Sequence, residues 1–293
     1  MSRTLSIAVV ATIIFCVVSG AVAEGVNLQY KFRQGEVDRY RLMMEMTMPG
    51  MATGSQGPMT IKMSTVFTQK TLGVLPDGSA RIRMSFGDFS VNTPGLPNPP
   101  KVKGQQIPPV VFTLTKDGAI TGLGGSEAWA AATSMPGMDY NQLFGQTEML
   151  PTWPVSVGDS WRLRVPIPST TGGITIVSEL LSTGTTVNGV PAAKIVQDYE
   201  AKINLGDIMK SMAASFRAQG MDMPAVPAIT GSMDMSGWGV LYFSPDRGKL
   251  LKATKDLTAS IRMRSPTQGV RSGPTPRMEM EFVMGMKLSV TKV

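Results

Sequence analysis

The sequence predicts a mainly β protein built from two related antiparallel units, each a curled sheet or half-barrel, with one or two short covering helices. Three observations favour this fold class. Apolar and polar residues alternate over many short stretches, 31 glycines and 21 prolines separate them, and three landmarks of the first half recur in the second. We expect a signal peptide at 1–23, a first unit at 24–150 and a second unit at 151–293.

The first 23 residues resemble a secretory signal. Arg3 precedes an apolar run at 5–18, and Ala-Val-Ala at 21–23 forms a small-x-small cleavage pattern. The run also approaches the length of a membrane anchor, so cleavage and retention both stay open. No later stretch is apolar enough to span a bilayer. We therefore expect export to the periplasm, cell envelope or extracellular space, with no transmembrane segment after cleavage.

The internal repeat rests on three pairs of matching segments. Each half enters a strand with a glycine and an acidic residue, and Asp77-Gly78 and Asn188-Gly189 favour the tight turns of antiparallel hairpins. An ancient duplication is therefore expected, with the division near 151–154; the sequence does not decide whether the halves share one sheet. The matching segments are 35–42 with 158–165, 74–82 with 187–195, and 112–118 with 241–248.

Two helices are expected between the strands. The segment 205–219 places apolar residues at helical spacing on one face, and a weaker candidate covers 126–132, with Ser126 as a possible N-cap. We expect each helix to cover a face or mouth of its sheet. Gly, Pro and Gln mark the loops, at 49–58, 93–109, 221–230 and 265–276.

Methionines follow the apolar phase of the predicted strands. In the segment 277–290, RMEMEFVMGMKLSV, they alternate with charged residues, so as a strand it has one apolar and one polar face. Three interpretations remain: ordinary core, a wall facing an apolar ligand, or a Cu(I) site with thioether ligands. Copper is disfavoured because the chain has no histidine. The candidate ligand-binding residues are Met44, Met46, Met48, Trp161, Met278, Met280, Phe282, Met284 and Met286.

Composition excludes many catalytic sites. Histidine is absent and the only cysteine, Cys16, lies within the signal. A mature chain therefore has no disulfide, thiolate metal site, Ser-His-Asp triad or His-ligated zinc. Gly158-Asp159-Ser160 is similar to an esterase signature, but that chemistry needs a histidine base, so we interpret it as a turn entering a strand. No catalytic residue, metal or cofactor is expected.

The formal net charge of +7 comes from scattered basic residues. An exported protein has little access to nucleic acid, so an anionic envelope component is the charged partner to consider, against a merely solvated basic surface. Glutamate carboxylates could act as the catalytic groups of a hydrolase, although most of them occupy strand positions that face solvent. They are Glu45, Glu179, Glu200, Glu279 and Glu281.

The signal, the glycine-acid strand starts, the Asp-Gly hairpins and the segment PVSVGDSW at 154–161 resemble exported bacterial families of unknown function. Curled sheets with covering helices are similar, at fold level only, to the half-barrels of periplasmic lipoprotein carriers. We expect a non-catalytic envelope protein that binds a lipid-like ligand or a partner through its methionine-rich sheet face. The alternatives are a structural or interaction module with a filled core, and a carboxylate-dependent hydrolase.

Overall fold

A computed structural model describes residues 25–49, 57–92, 108–124, 149–166, 172–207, 210, 230–265 and 278–293. The expected signal peptide, the expected helix at 126–132 and most of the four expected loops lie outside these ranges.

The described residues form one antiparallel sheet, so the predicted mainly β class is confirmed. Its strands follow the order β6-β5-β3-β2-β1-β12-β11-β10-β9-β8-β7, and the short β4 also pairs with β2. The halves share this sheet because β1 pairs with β12. The strands are β1 (Val37–Met48), β2 (Met59–Val74), β3 (Ala80–Phe86), β4 (Ser90–Asn92), β5 (Val110–Leu114), β6 (Ile120–Gly124), β7 (Ser160–Pro166), β8 (Gly173–Val187), β9 (Val190–Asn204), β10 (Thr230–Ser244), β11 (Lys249–Ser265) and β12 (Met278–Lys292).

Alternating side chains give the sheet two different faces. In β3, Ile82 and Met84 are buried whereas Arg81 and Arg83 are exposed, as the period of two predicts. We call the face that carries Leu42, Ile82 and Val290 the inner face, and the opposite face, which carries Arg41 and Arg83, the outer face. The hydrophobic core lies on the inner face.

The sheet also has two different ends. At the closed end, short turns join β2 to β3, β5 to β6, β8 to β9 and β10 to β11. The predicted tight turns are present, with left-handed backbone at Gly78 (φ 81°), Asn188 (φ 49°) and Gly189 (φ 75°). At the open end, β1, β9 and β11 end and β2, β10 and β12 begin. The connections there lie largely outside the described residues.

An extended N-terminal segment, 25–36, crosses the closed end and joins the two halves. Tyr30 N–H donates to Lys116 O at 2.7 Å, and Lys31 N–H donates to Gly248 O at 3.1 Å. Leu28 is fully buried in the core of the second half. Tyr30 packs against the cores of both halves. The segment therefore closes the inner face at this end.

The predicted duplication has a counterpart in strand order. The sequence matches relate β1 to β7, the β2–β3 turn to the β8–β9 turn, and β5 to β10. β1-β2-β3-β5-β6 and β7-β8-β9-β10-β11 are both meanders of neighbouring strands. Any antiparallel meander shares this order, so the duplication and the division between 150 and 151 stay predictions. β12 lies between the two meanders and pairs with both.

A helical turn begins at 205, where the sequence predicts one. Asn204 Oδ1 accepts a hydrogen bond from Gly206 N–H at 2.8 Å, which is an N-cap. A Cβ placed on Gly231 would lie 3.2 Å from Leu205 Cδ1, so Leu205 lies against β10. The rest of the expected helix to 219 is outside the described residues, Lys210 excepted. Within the described ranges, no helix has the length and apolar character to cross a membrane.

Candidate apolar binding face

Methionines form adjacent rows across three central strands at the open end. Met44 lies opposite Met63 in β2 and Leu288 in β12. One step further towards the open end, Met46 lies opposite Ile61 and Met286. Because directly opposite residues point to the same face, these side chains share the inner face. We call this set the methionine face; it comprises Met44, Met46, Met48, Ile61, Met63, Phe282, Met284, Met286 and Leu288.

Every side chain of the methionine face is half-buried. Met280 continues the same phase of β12 and is 46% exposed. The side chain of Met278, although it begins β12, is outside the described set. The structure thus places Met44, Met46, Met48, Phe282, Met284 and Met286 on one surface, and Met280 continues it. Within the described ranges, no group of three His, Cys, Asp or Glu side chains could hold a metal ion.

Trp161 does not join this surface. It lies in β7, which is six strand steps from β1 in the sheet order. Its side chain is 4% exposed and packs in the core of the second half. Its indole Nε1 has no hydrogen-bond partner among the described residues. Trp161 therefore occupies a core position and is separate from the methionines, although the sequence analysis predicted all of them as one ligand-binding set.

Two glycines in β10 let neighbouring side chains approach the backbone closely on the inner face. Gly237 and Gly239 present no side chain there, and Tyr199 from β9 and Lys255 from β11 flank them. The Lys255 ammonium lies 5.5 Å from the centre of the Tyr199 ring, a cation–π distance. Gln197 connects the Tyr199 hydroxyl to Ser178 Oγ through hydrogen bonds. This buried polar group borders the methionine face on the β11 side.

An ion cluster lies under the N-terminal segment at the closed end. Lys249 Nζ lies 2.9 Å from Glu36 Oε2 and 2.8 Å from Asp38 Oδ2, and Lys292 Nζ lies 2.6 Å from Asp38 Oδ1. Burial raises the pKa of Asp38, but hydrogen bonds and positive charges from Lys249 and Lys292 outweigh it and hold that pKa below its ordinary value. Lys249 also lies 5.8 Å from the centre of the Phe32 ring. The cluster fixes the segment against β1, β11 and β12.

Sequence reasoning missed this ion cluster, although a signal was present. In β1, Asp38 is buried and occupies the same phase as the apolar Tyr40 and Leu42. A charged residue in the apolar phase of a strand needs a buried partner. The partners come from positions more than 200 residues away in the chain, which periodicity does not reveal.

No protein-family model and no curated protein matches the chain. Among solved structures, the fold is similar to part of a chain in a structure entitled "Lipid-protein interactions in lipovitellin", with a TM-score of 0.44 and 11% identity. The match covers 90% of this chain and 25% of that one. The chain therefore spans about a quarter of the lipovitellin chain it matches.

Proposed function

We propose that the methionine face binds an apolar, lipid-like ligand in an exported, non-catalytic envelope protein. One observation carries the proposal. At the closed end, Leu28, Tyr30 and Phe32 pack on the inner face, and Tyr40 and Leu42 of β1 are buried there, whereas the side chains of the methionine face remain half-buried. A ligand at the open end would cover the inner face as the N-terminal segment does at the closed end.

The chemistry of the methionine face suits an acyl chain. Each methylene moved from water to an apolar surface contributes up to about 0.8 kcal/mol. Methionine has three flexible torsions and a polarizable sulfur, so a row of methionines adapts to chains of different shape. Met46 in β1 and Met286 in β12 lie directly opposite each other on neighbouring strands, about 4.8 Å apart in the pairing direction, and Met44 lies two residues before Met46 on the same face. They therefore offer a continuous surface rather than isolated contacts.

Export and the lack of catalysis are parts of the same proposal. Arg3, the apolar run at 5–18 and the small residues at 21–23 support export through a signal peptide. The absence of histidine from the chain supports a binding role. Fractionation of host cells, with N-terminal sequencing of the mature chain, tests export. A mature chain in the cytoplasm that still begins at residue 1 would contradict it.

Oleate binding tests the site on the folded protein. Met284→Glu puts a carboxylate on the methionine face, whereas Val283→Glu changes the adjacent residue of β12, which points outward and is 55% exposed. We expect Met284→Glu to weaken oleate binding roughly tenfold or more, because the new charge loses water when the chain binds. Val283→Glu should bind like the unchanged protein, and Met284→Leu should retain binding.

Circular dichroism checks that each variant is folded, and Met46→Glu provides a second position on the methionine face. Equal oleate affinity in all variants would reject this face as the binding site. Native mass spectrometry of protein purified from its host gives an independent test. A co-purifying lipid is expected, and a clean unliganded mass under gentle conditions would favour the structural module with a filled core.

A further inference from the structure

A groove of about 490 Å³ crosses the outer face, on the side opposite the core. Its walls come mainly from two neighbouring cross-strand rows of outward-facing residues, and Met44, Met63, Lys255 and Leu288, which belong to the inner phase of the same strands, also line it. One row pairs Lys62, Glu45, Lys287, Asp256 and Trp238, and the other pairs Ser64, Met43, Ser289 and Thr254, with β4 adding Ser90 and Asn92. The volume is in the range of small-molecule sites.

The groove extends across five neighbouring strands, from β2 to β10. Lys62 in β2 and Trp238 in β10 line the same groove, although they are four strand steps apart in the sheet order. In a flat sheet four steps separate such side chains by about 19 Å. The groove therefore runs across the strands, and its length suits a chain-like ligand.

An exposed tryptophan stands at one end of the groove. The side chain of Trp238 is 55% exposed, and its neighbours along β10, Gly237 and Gly239, have no side chains. Met43, on the floor, is 54% exposed. An indole offers a broad apolar face with a polar N–H at its edge. Such a surface suits a ligand that is apolar on one side and hydrogen-bonding at its rim.

The charges that line the groove on this face are paired. Lys62 Nζ lies 3.1 Å from Glu45 Oε2, and Lys287 Nζ lies 3.8 Å from Asp256 Oδ2. The two lysines and two carboxylates cancel, so the row offers no excess charge to a phosphate or carboxylate ligand. The adjacent row supplies hydroxyl and amide groups, which donate and accept hydrogen bonds with neutral ligands. They belong to Ser64, Ser90, Asn92, Thr254 and Ser289.

We propose that this groove binds a linear, uncharged oligosaccharide, with Trp238 stacking on a sugar ring. Sugars combine apolar C–H faces with a rim of hydroxyls, which matches the tryptophan and the hydroxyl row. An acyl chain would strip water from the charge pairs and hydroxyls without replacing their hydrogen bonds, which is unfavourable. A peptide strand would find no free ladder to extend, since each floor strand already pairs on both sides.

Titration of the protein with maltohexaose, cellohexaose and chitohexaose tests the proposal. Binding is measured by tryptophan fluorescence and by calorimetry. We expect at least one of these to bind and shift the emission of Trp238. Trp238→Ala should weaken that binding roughly tenfold or more, since a stacked ring is lost. Trp153→Ala is the matched control, because Trp153 is 52% exposed and does not line the groove. If chitohexaose is the only one of the three sugars that binds, the groove is specific for N-acetylated chains.

Three results would overturn the proposal: no binding of any of the three sugars, binding that Trp238→Ala leaves unchanged, or oleate binding that depends on Trp238. Thr254→Val removes a hydroxyl at nearly constant volume and provides a second variant, expected to weaken sugar binding. Trp238→Ala should keep oleate binding and Met284→Glu should keep sugar binding. The two proposals therefore fail separately.

Discussion

At the closed end, Leu28, Tyr30 and Phe32 cover the inner face of the sheet; at the open end of β1, β2 and β12, the same face presents half-buried methionines. Both ends are built from the same strands: β1 carries Tyr40 and Leu42 at the closed end and Met44 and Met46 further along. Strand pairing is continuous through both regions. The ends therefore differ in what covers the sheet, not in the sheet itself.

The choice of side chain follows this difference. Among the buried core residues of the described part, Met84 is the one methionine, and the others are mainly leucine, isoleucine, phenylalanine and alanine. Residues with few rotamers pack well against fixed neighbours, whereas methionine adapts to neighbours that change. The half-buried methionines of β1 and β12 are therefore in keeping with the proposal that this part of the face accepts a ligand of variable shape.

The largest expected loss of stability comes from truncating a buried side chain that covers the closed end. Leu28 is fully buried, so Leu28→Ala removes buried methyl groups, leaves a cavity and should destabilise the protein by about 3 kcal/mol. Met286→Ala, at the half-buried open end, should cost roughly 1 kcal/mol, since the site is already partly open to water. Urea unfolding measures both. Equal losses would show that the two ends are packed alike.

A somewhat smaller effect is expected from the ion cluster of the closed end. The side chain of Lys249 is 7% exposed and pairs with Glu36 and Asp38. Lys249→Met leaves the Asp38 carboxylate with fewer partners and should destabilise by about 2–3 kcal/mol. Lys62→Met breaks an exposed pair with Glu45 and should cost less than about 1 kcal/mol. If Lys249→Met lowers the free energy of unfolding no more than Lys62→Met does, the ion cluster does not stabilise the closed end.

The acid side of the stability profile should depend on Asp38. Its pKa in the folded protein is lowered from the ordinary 3.8, so its ionised form stabilises the fold at neutral pH. That contribution is fully present above the ordinary pKa and is lost as pH falls through the lowered one. Thermal unfolding at pH 7 should therefore separate Asp38→Asn from the unchanged protein, and the gap should narrow towards pH 3. A gap independent of pH would contradict this role.

Much of the fold could be predicted because alternation and turn chemistry are local. Ile82 and Met84 alternate with Arg81 and Arg83, and Asn188-Gly189 forms the turn that its sequence predicts. The pairing of β1 with β12 is not local, and neither is the packing of Tyr30 into both halves, so the sequence left the number of sheets open. Strand phase placed Met44 and Met286 on one face of the sheet. Trp161 has the same phase but lies six strands away from β1, and phase alone does not reveal that distance.

The groove on the outer face escaped prediction for a different reason. Met43 and Trp238 lie in the polar phase of their strands, where a single apolar residue needs no explanation. The groove is lined by residues of strands from β2 to β10. It depends on the pairing of five strands in one sheet, and the local sequence of any one strand does not specify that pairing.

Methionine oxidation with dilute peroxide, mapped by mass spectrometry with and without oleate, tests most directly whether the open end of the inner face is a ligand wall. Without oleate, the half-buried Met44, Met46 and Met286 should oxidise faster than the buried Met84. Oleate should protect these three and leave the outward-facing Met43 as reactive as before. Unchanged oxidation of Met44, Met46 and Met286 at saturating oleate, or protection of Met43 alone, would contradict the account.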